Sequence, residues 1–232
     1  MTYRWLGLLS TPSLARKRLR YRARGSFLRV SELDPLTLQD WRRRVFELYA
    51  AIRAAPDPEL AWQRWRTERD ELFAHHPATP LPADARTAFE GLPLYDYDSA
   101  ARVLADTEPA PEHTIALAGS DGTPFGARRF ATARFTLGGA DLGLDAYWLE
   151  GYAGGLFLPF RDATSGETTY GAGRYLLDTV KGADLGTDDG RLVLDFNFAY
   201  NPSCSYDPRW SCPLAPPGNR LAVPIAAGER VA

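Results

Sequence analysis

The chain is 232 residues long, 45% hydrophobic and 24% charged, with 20 glycines and 18 prolines, the composition of an ordinary globular protein and not of a disordered, collagen-like or membrane chain. At this length a folded chain buries roughly 70% of the surface its unfolded form exposes, so a full core needs neither disulfides nor metals. The formal net charge of -2 argues against a general polyanion or nucleic-acid binder, and no stretch approaches the ~18 uninterrupted apolar residues of a membrane helix.

Charge is unevenly spread along the chain. Residues 1–33 carry eight basic side chains against the single acid Glu32, and 25 of the 27 basic residues of the whole chain are arginine. This arm reads as an N-terminal extension; pairing with the acidic body or with a polyanion is the alternative. Trp5 to Leu9 is too short for a signal-peptide core, and its positive charges follow where they should precede. The expected address is therefore the cytoplasm, where Cys204 and Cys212 stay reduced.

A helix is predicted from an N-cap at Thr37 to near Ala55, with Leu38, Trp41, Val45, Leu48 and Ile52 on one face. Asp57-Pro58 reads as a cap and first helical position opening a second helix through His75, closed by Pro77. The pair forms a hairpin whose aromatic stripe, Trp41, Trp62, Trp65 and Phe73, is expected to face the core. A short helix follows over 83–89.

From residue 94 the apolar period changes from 3.6 to 2. Runs near 99–106, 113–118, 127–137, 142–150, 155–161, 168–178, 191–200 and 220–226 are separated by turn clusters such as Ser120-Asp121-Gly122 and Asp188-Asp189-Gly190. The predicted class is α+β: a helical hairpin packed on a mainly antiparallel β-barrel or barrel-like sheet. The division is an arm at 1–33, a helical region at 34–93 and a β domain at 94–232, with 34–232 as one structural unit.

Strand alternation gives the last strands one greasy and one polar face. Arg161, Tyr170, Arg174, Asp195 and Asn197 fall on the polar set, and the bare Gly171 and Gly173 beside them suit close approach of a backbone or a ligand. Pointed inward, these residues line a charged cavity. Two guanidinium groups beside one carboxylate leave positive charge, which another acid such as Glu167 or an anionic ligand must balance. Turned outward, the same face is simply solvated. Asp162 and Glu167 flank the next turn as bases or arginine partners.

Cys204 and Cys212 bracket a loop rich in proline and aromatics, Tyr206, Pro208, Arg209 and Trp210 among them. Two reduced structural thiols, a disulfide, and a metal or catalytic site are all compatible with this spacing; a packed structural cap without a role in chemistry is the expectation. A single cysteine pair and an adjacent His75-His76 do not make a metal motif, so neither metal nor cofactor is predicted.

The string Phe160 to Tyr175, with Asp195-Phe196-Asn197, Ala199-Tyr200-Asn201-Pro202, Cys212-Pro213-Leu214, Pro216 to Leu221 and Ala227-Gly228-Glu229, resembles the bacterial and fungal family called domain of unknown function 1684. Arg69-Asp70, Phe73, His76-Pro77, Pro80-Leu81 and Phe89 to Leu92 extend the resemblance to about 62–229. It implies one intact domain and brings no assigned activity. Gly218 departs from that family's usual glutamate, and Thr79 from its usual serine.

Two functions follow as expectations. One is an enzyme acting on a small polar, anionic molecule, with Arg161, Arg174, Asn197 and Asp162 binding it and Glu167, Asp195 and Tyr170 handling protons or developing charge. The other is a non-catalytic ligand-binding barrel using the same arginines. A third role makes the cysteine loop a redox or partner-binding element.

Overall fold

The computed structural model describes residues 33–152 and 154–231, so all but the last residue of the basic arm lies outside the described residues. Helix α1 (Pro35–Ala54) and helix α2 (Pro58–His75) both open on an Asp-Pro pair. Asp57 accepts from the backbone N–H of Glu59 and Leu60, as its sequence position predicts. In α1 the cap is Asp34, not Thr37: proline at 35 presets the helical φ, and the backbone and hydroxyl of Thr37 both donate to Asp34 at 3.0 Å. The short α3 (Ala83–Thr87) ends two residues before its predicted close.

Among the described residues seven strands form one antiparallel sheet in the order β5-β4-β3-β2-β1-β7-β6. They are β1 (Arg102–Leu117), β2 (Phe125–Leu137), β3 (Ala140–Leu149), β4 (Gly155–Phe160), β5 (Arg174–Asp178), β6 (Thr187–Asp188) and β7 (Arg191–Asp195). The first two predicted strands are one. Pairing with β2 runs on through a register shift between Pro109 and His113, where Pro109 and Pro111 have no N–H to donate. Beyond its β2 partners, the start of β1 pairs with β7.

Three predicted strands change. Residues 168–173 are a turn, because the carbonyl of Thr164 gathers the N–H groups of Glu167, Thr168 and Thr169. The strand predicted over 191–200 stops at Asp195, whose side chain caps a 3-10 turn, Phe196–Phe198. Such local capping competes with the ladder, so Asp195 and Asn197 do not share a strand face. No strand forms over 220–226, although Leu221 bonds back to Arg161 at 2.8 Å.

The sheet curls, and its two ends approach. Five residues after β7, Tyr200 exchanges two backbone hydrogen bonds, 2.9 and 3.0 Å, with Tyr175 on the outer edge of β5. This covers an edge that would otherwise be open to strand addition. The hairpin packs on the same core: Leu48, Tyr49, Ile52, Trp62 and Trp65 are buried with Ala131, Leu144, Leu158, Leu176, Leu194 and Phe196. Each of these indoles finds a partner, Trp65 on the Tyr49 hydroxyl and Trp62 on the carbonyl of Asn197, both at 3.1 Å. Among the described residues no helix is long and apolar enough to cross a membrane.

Candidate functional site

Arg174 opens β5 with 1% of its side chain exposed, beside a fully buried Asp162 whose carboxylate lies 2.6 Å from it. Its guanidinium also donates to the carbonyls of Ile225, Ala227 and Glu229. Burial pulls the Arg174 pKa below its ordinary value, and Asp162 opposes that shift. The positive charge of Arg174 is thus balanced by Asp162 within the protein. Arg174 binds the C-terminal segment to β5.

The nearby glycine also serves the protein's own chain. Gly173 has φ +100°, and a Cβ there would meet the Phe160 carbonyl at 2.6 Å. Arg161 lies at the end of β4, bridged through its backbone to Asn219 and Leu221, and its Nε is buried without a hydrogen-bond partner. Glu167 is exposed in the turn before β5. The Tyr170 hydroxyl lies 4.0 Å from Cys204 Sγ, and burial with that thiol's charge pushes its pKa up to about 12.

Asp195 and Asn197 come together in a separate buried cluster. Asp195 Oδ1 accepts from the backbone and side-chain N–H of Asn197 at 3.0 and 2.8 Å. Asn197 also exchanges hydrogen bonds with the backbone of Asp98, 2.9 and 2.8 Å. Burial raises the Asp195 pKa; the Asn197 hydrogen bonds and the Arg102 guanidinium, 3.7 Å away, oppose it. Among the described residues no hydrogen bond or ion pair joins this cluster to Arg161 or Arg174.

A cavity of about 300 Å³ lies instead between the helical hairpin and the loop that follows Tyr200. The hairpin lends Trp41, Tyr49 and Phe73 to its wall; the loop lends Tyr200, Tyr206 and Trp210. Among the described residues three cations line it, Arg42, Arg69 and Lys181, and no carboxylate does. Arg69 is held among the rings of Trp65, Phe73 and Tyr200, 4.7, 5.1 and 5.2 Å from their centroids. It donates at 2.9 Å to Glu229, a fully buried carboxylate that also accepts from the Asn201 N–H. Burial pushes Glu229 up to about 7 against the pull of Arg69. Lys181 lies 3.8 Å from Asp178. Arg42 donates to the Val180 carbonyl at 2.9 Å and has no acidic partner among the described residues.

A larger groove of about 640 Å³ runs over β1 to β3, lined by charges of both signs with Arg134 paired to Glu108 at 3.0 Å. That is the solvated face an antiparallel sheet turns to water. The aromatic cavity was hidden in the sequence because Trp41 and Phe73 sit at core spacing on their helices. Only the loop that meets them makes the stripe a wall. Arg69 and Glu229, 160 positions apart, gave no local signal beyond their place in the family motif.

The family model for a protein of unknown function, DUF1684, matches residues 87–230. The upstream residues that also resemble that family, Arg69 to Leu81, lie before the matched span. A solved solution structure of an uncharacterized protein from Haloarcula marismortui is 36% identical, with a TM-score of 0.54, covering 73% of this chain and 91% of that one. The search of curated proteins gives no match. With more than half of its length matched by one family model, the chain belongs to the DUF1684 family.

Proposed function

We propose that the protein binds a small anionic molecule with an apolar body, without transforming it, in the cavity between the helical hairpin and the 200–212 loop. The observation that carries this reading is the cavity's lining: among the described residues, six aromatic side chains and three cations with no carboxylate among them. A volume of about 300 Å³ stands at the small end of ligand sites, so a compact aromatic or short alkyl carboxylate fits. Its ring or chain would lie against Trp41, Phe73 and Trp210. Its carboxylate would take the hydrogen bonds of Arg42, the lining cation without an acidic partner among the described residues.

Binding without chemistry is favoured over acid/base catalysis by where the acids lie. Glu167 is exposed on a turn, Asp195 is sealed beneath its own cap, and Asp162 is bound to Arg174. None of the three lines the cavity. The test is titration calorimetry with a panel of aromatic and alkyl carboxylates, each beside its neutral alcohol. A carboxylate such as phenylpropionate should bind, and Arg42→Gln should weaken it about tenfold while leaving phenylpropanol unchanged. Val45→Phe, which fills the cavity from α1, should abolish both. Binding that survives Val45→Phe, or a panel without a binder, overturns the reading.

A further inference from the structure

Cys204 and Cys212 are both free thiols, with seven residues between them. Their surroundings differ. Cys204 lies half-buried on the 3-10 turn Ser203–Ser205, whereas Cys212 is buried and forms part of the cavity wall. Cys212 is pinned to the turn between β1 and β2: its N–H donates to Ser120 Oγ at 3.1 Å, and Ser120 N–H donates to its carbonyl at 2.9 Å. The next bond in that direction runs from Leu214 N–H to the Ala118 carbonyl, 2.8 Å. The Tyr170 hydroxyl lies 4.0 Å from Cys204 Sγ.

The two sulfurs act on each other. The Cys212 thiol beside it, with Ser120 and Tyr170, lowers Cys204 to about 6 against the effect of burial. The same contact and burial push Cys212 upward. Cys204, the less buried of the two, is therefore the thiol that gives up its proton more readily, while Cys212 holds its own. That is the division of labour between an attacking and a resolving thiol. Buried structural thiols have no need of it. No group of three or more metal-ligating side chains occurs among the described residues, so the pair is not part of a metal cluster there.

We propose that Cys204 and Cys212 are a hydroperoxide-reactive dithiol that closes to a reversible disulfide. The Cys204 thiolate attacks one oxygen of a small hydroperoxide; the O–O bond breaks, and the leaving oxygen departs as hydroxide or alkoxide and takes a proton from water. Cys204 is then a sulfenic acid. The Cys212 sulfur attacks the Cys204 sulfur, an S–S bond forms, and the hydroxyl leaves with the Cys212 proton as water. Two thiols and one hydroperoxide give one disulfide, one water and one alcohol or water, the sulfurs losing the two electrons the peroxide gains. The inference is independent of what fills the cavity.

The experiment uses the full chain, reduced, freed of reductant and treated with equimolar hydrogen peroxide. Intact-mass analysis should show the loss of two hydrogens, with both thiols protected from maleimide until dithiothreitol is added. Cys212→Ser should stop at one added oxygen on Cys204, trapped by dimedone, and Cys204→Ser should react at least about tenfold more slowly than the wild type. Iodoacetamide labelling of Cys204 should show a pH midpoint near 6. Wild-type protein that collects oxygens on Cys204 without a disulfide, a Cys204→Ser variant that reacts as fast as wild type, or a labelling midpoint near the ordinary thiol value of roughly 8.5 overturns the proposal.

Discussion

Replacing Arg174 by methionine would strand a fully buried Asp162 and leave the carbonyls of Ile225, Ala227 and Glu229 without their donor. On the surplus positive charge expected from the sequence, this change would cost little. With Asp162 in place the sign reverses: Arg174→Met should destabilise by about 3–5 kcal/mol in chemical denaturation, the cost of breaking a buried ion pair from one side. A loss below about 1 kcal/mol would contradict the clamp assigned here. Glu229 sets a second residue-scale test. Its native pKa of about 7 stands above an ordinary value of 4.5, so the unfolded chain releases the proton first. Stability from this group is full below pH 4.5 and is lost as pH rises toward 7, by about 3 kcal/mol in total. Glu229→Gln keeps the acceptor for Arg69 and cannot ionise. Its stability relative to wild type should therefore grow across that window; a flat difference would show that Glu229 does not hold a proton in the fold.

At the scale of elements, Asp57 and Asn197 differ in what they hold. Asp57 is an exposed N-cap, and Asp57→Ala should cost about 1 kcal/mol. Asn197 lies in a 3-10 turn and ties Asp195, Asp98 and the start of β1 together in the interior. Asn197→Ala leaves buried groups on both sides unpaired and should cost more, at least about 2 kcal/mol. Equal melting temperatures for the two variants would overturn that ranking. Asp57-Pro58 was legible because cap and proline act within four residues. Asn197 was misread as a strand residue, since alternation continues through it and only the capping bond from Asp195 breaks the strand.

For the molecule as a whole, the hairpin and the sheet share one core, and the proposed ligand site forms where the hairpin meets the late loop. A carboxylate that occupies the cavity should raise stability by mass action, about 2.7 kcal/mol at a hundred times its Kd, because the unfolded chain holds no such site. Thermal melts with and without the carboxylate measure this, and Val45→Phe should remove the shift. A carboxylate that binds by calorimetry yet leaves the melting temperature unmoved would place its site in the unfolded chain as well.

The sequence by itself determined the class of the fold, the helical hairpin, the change of period near residue 94 and the family, because each is written in short-range spacing or in a contiguous motif. It also brought forward the polar residues that prove buried, Arg174, Asp162, Asp195 and Asn197. What it did not contain was their pairing. Arg174 faces Asp162 because the chain turns sharply between β4 and β5, and Arg69 reaches Glu229 because the C-terminal segment returns to the hairpin. Periodicity tells which way a side chain points from its own element; which charge or ring it meets there depends on contacts between residues far apart in the chain, and those the tertiary structure alone decided.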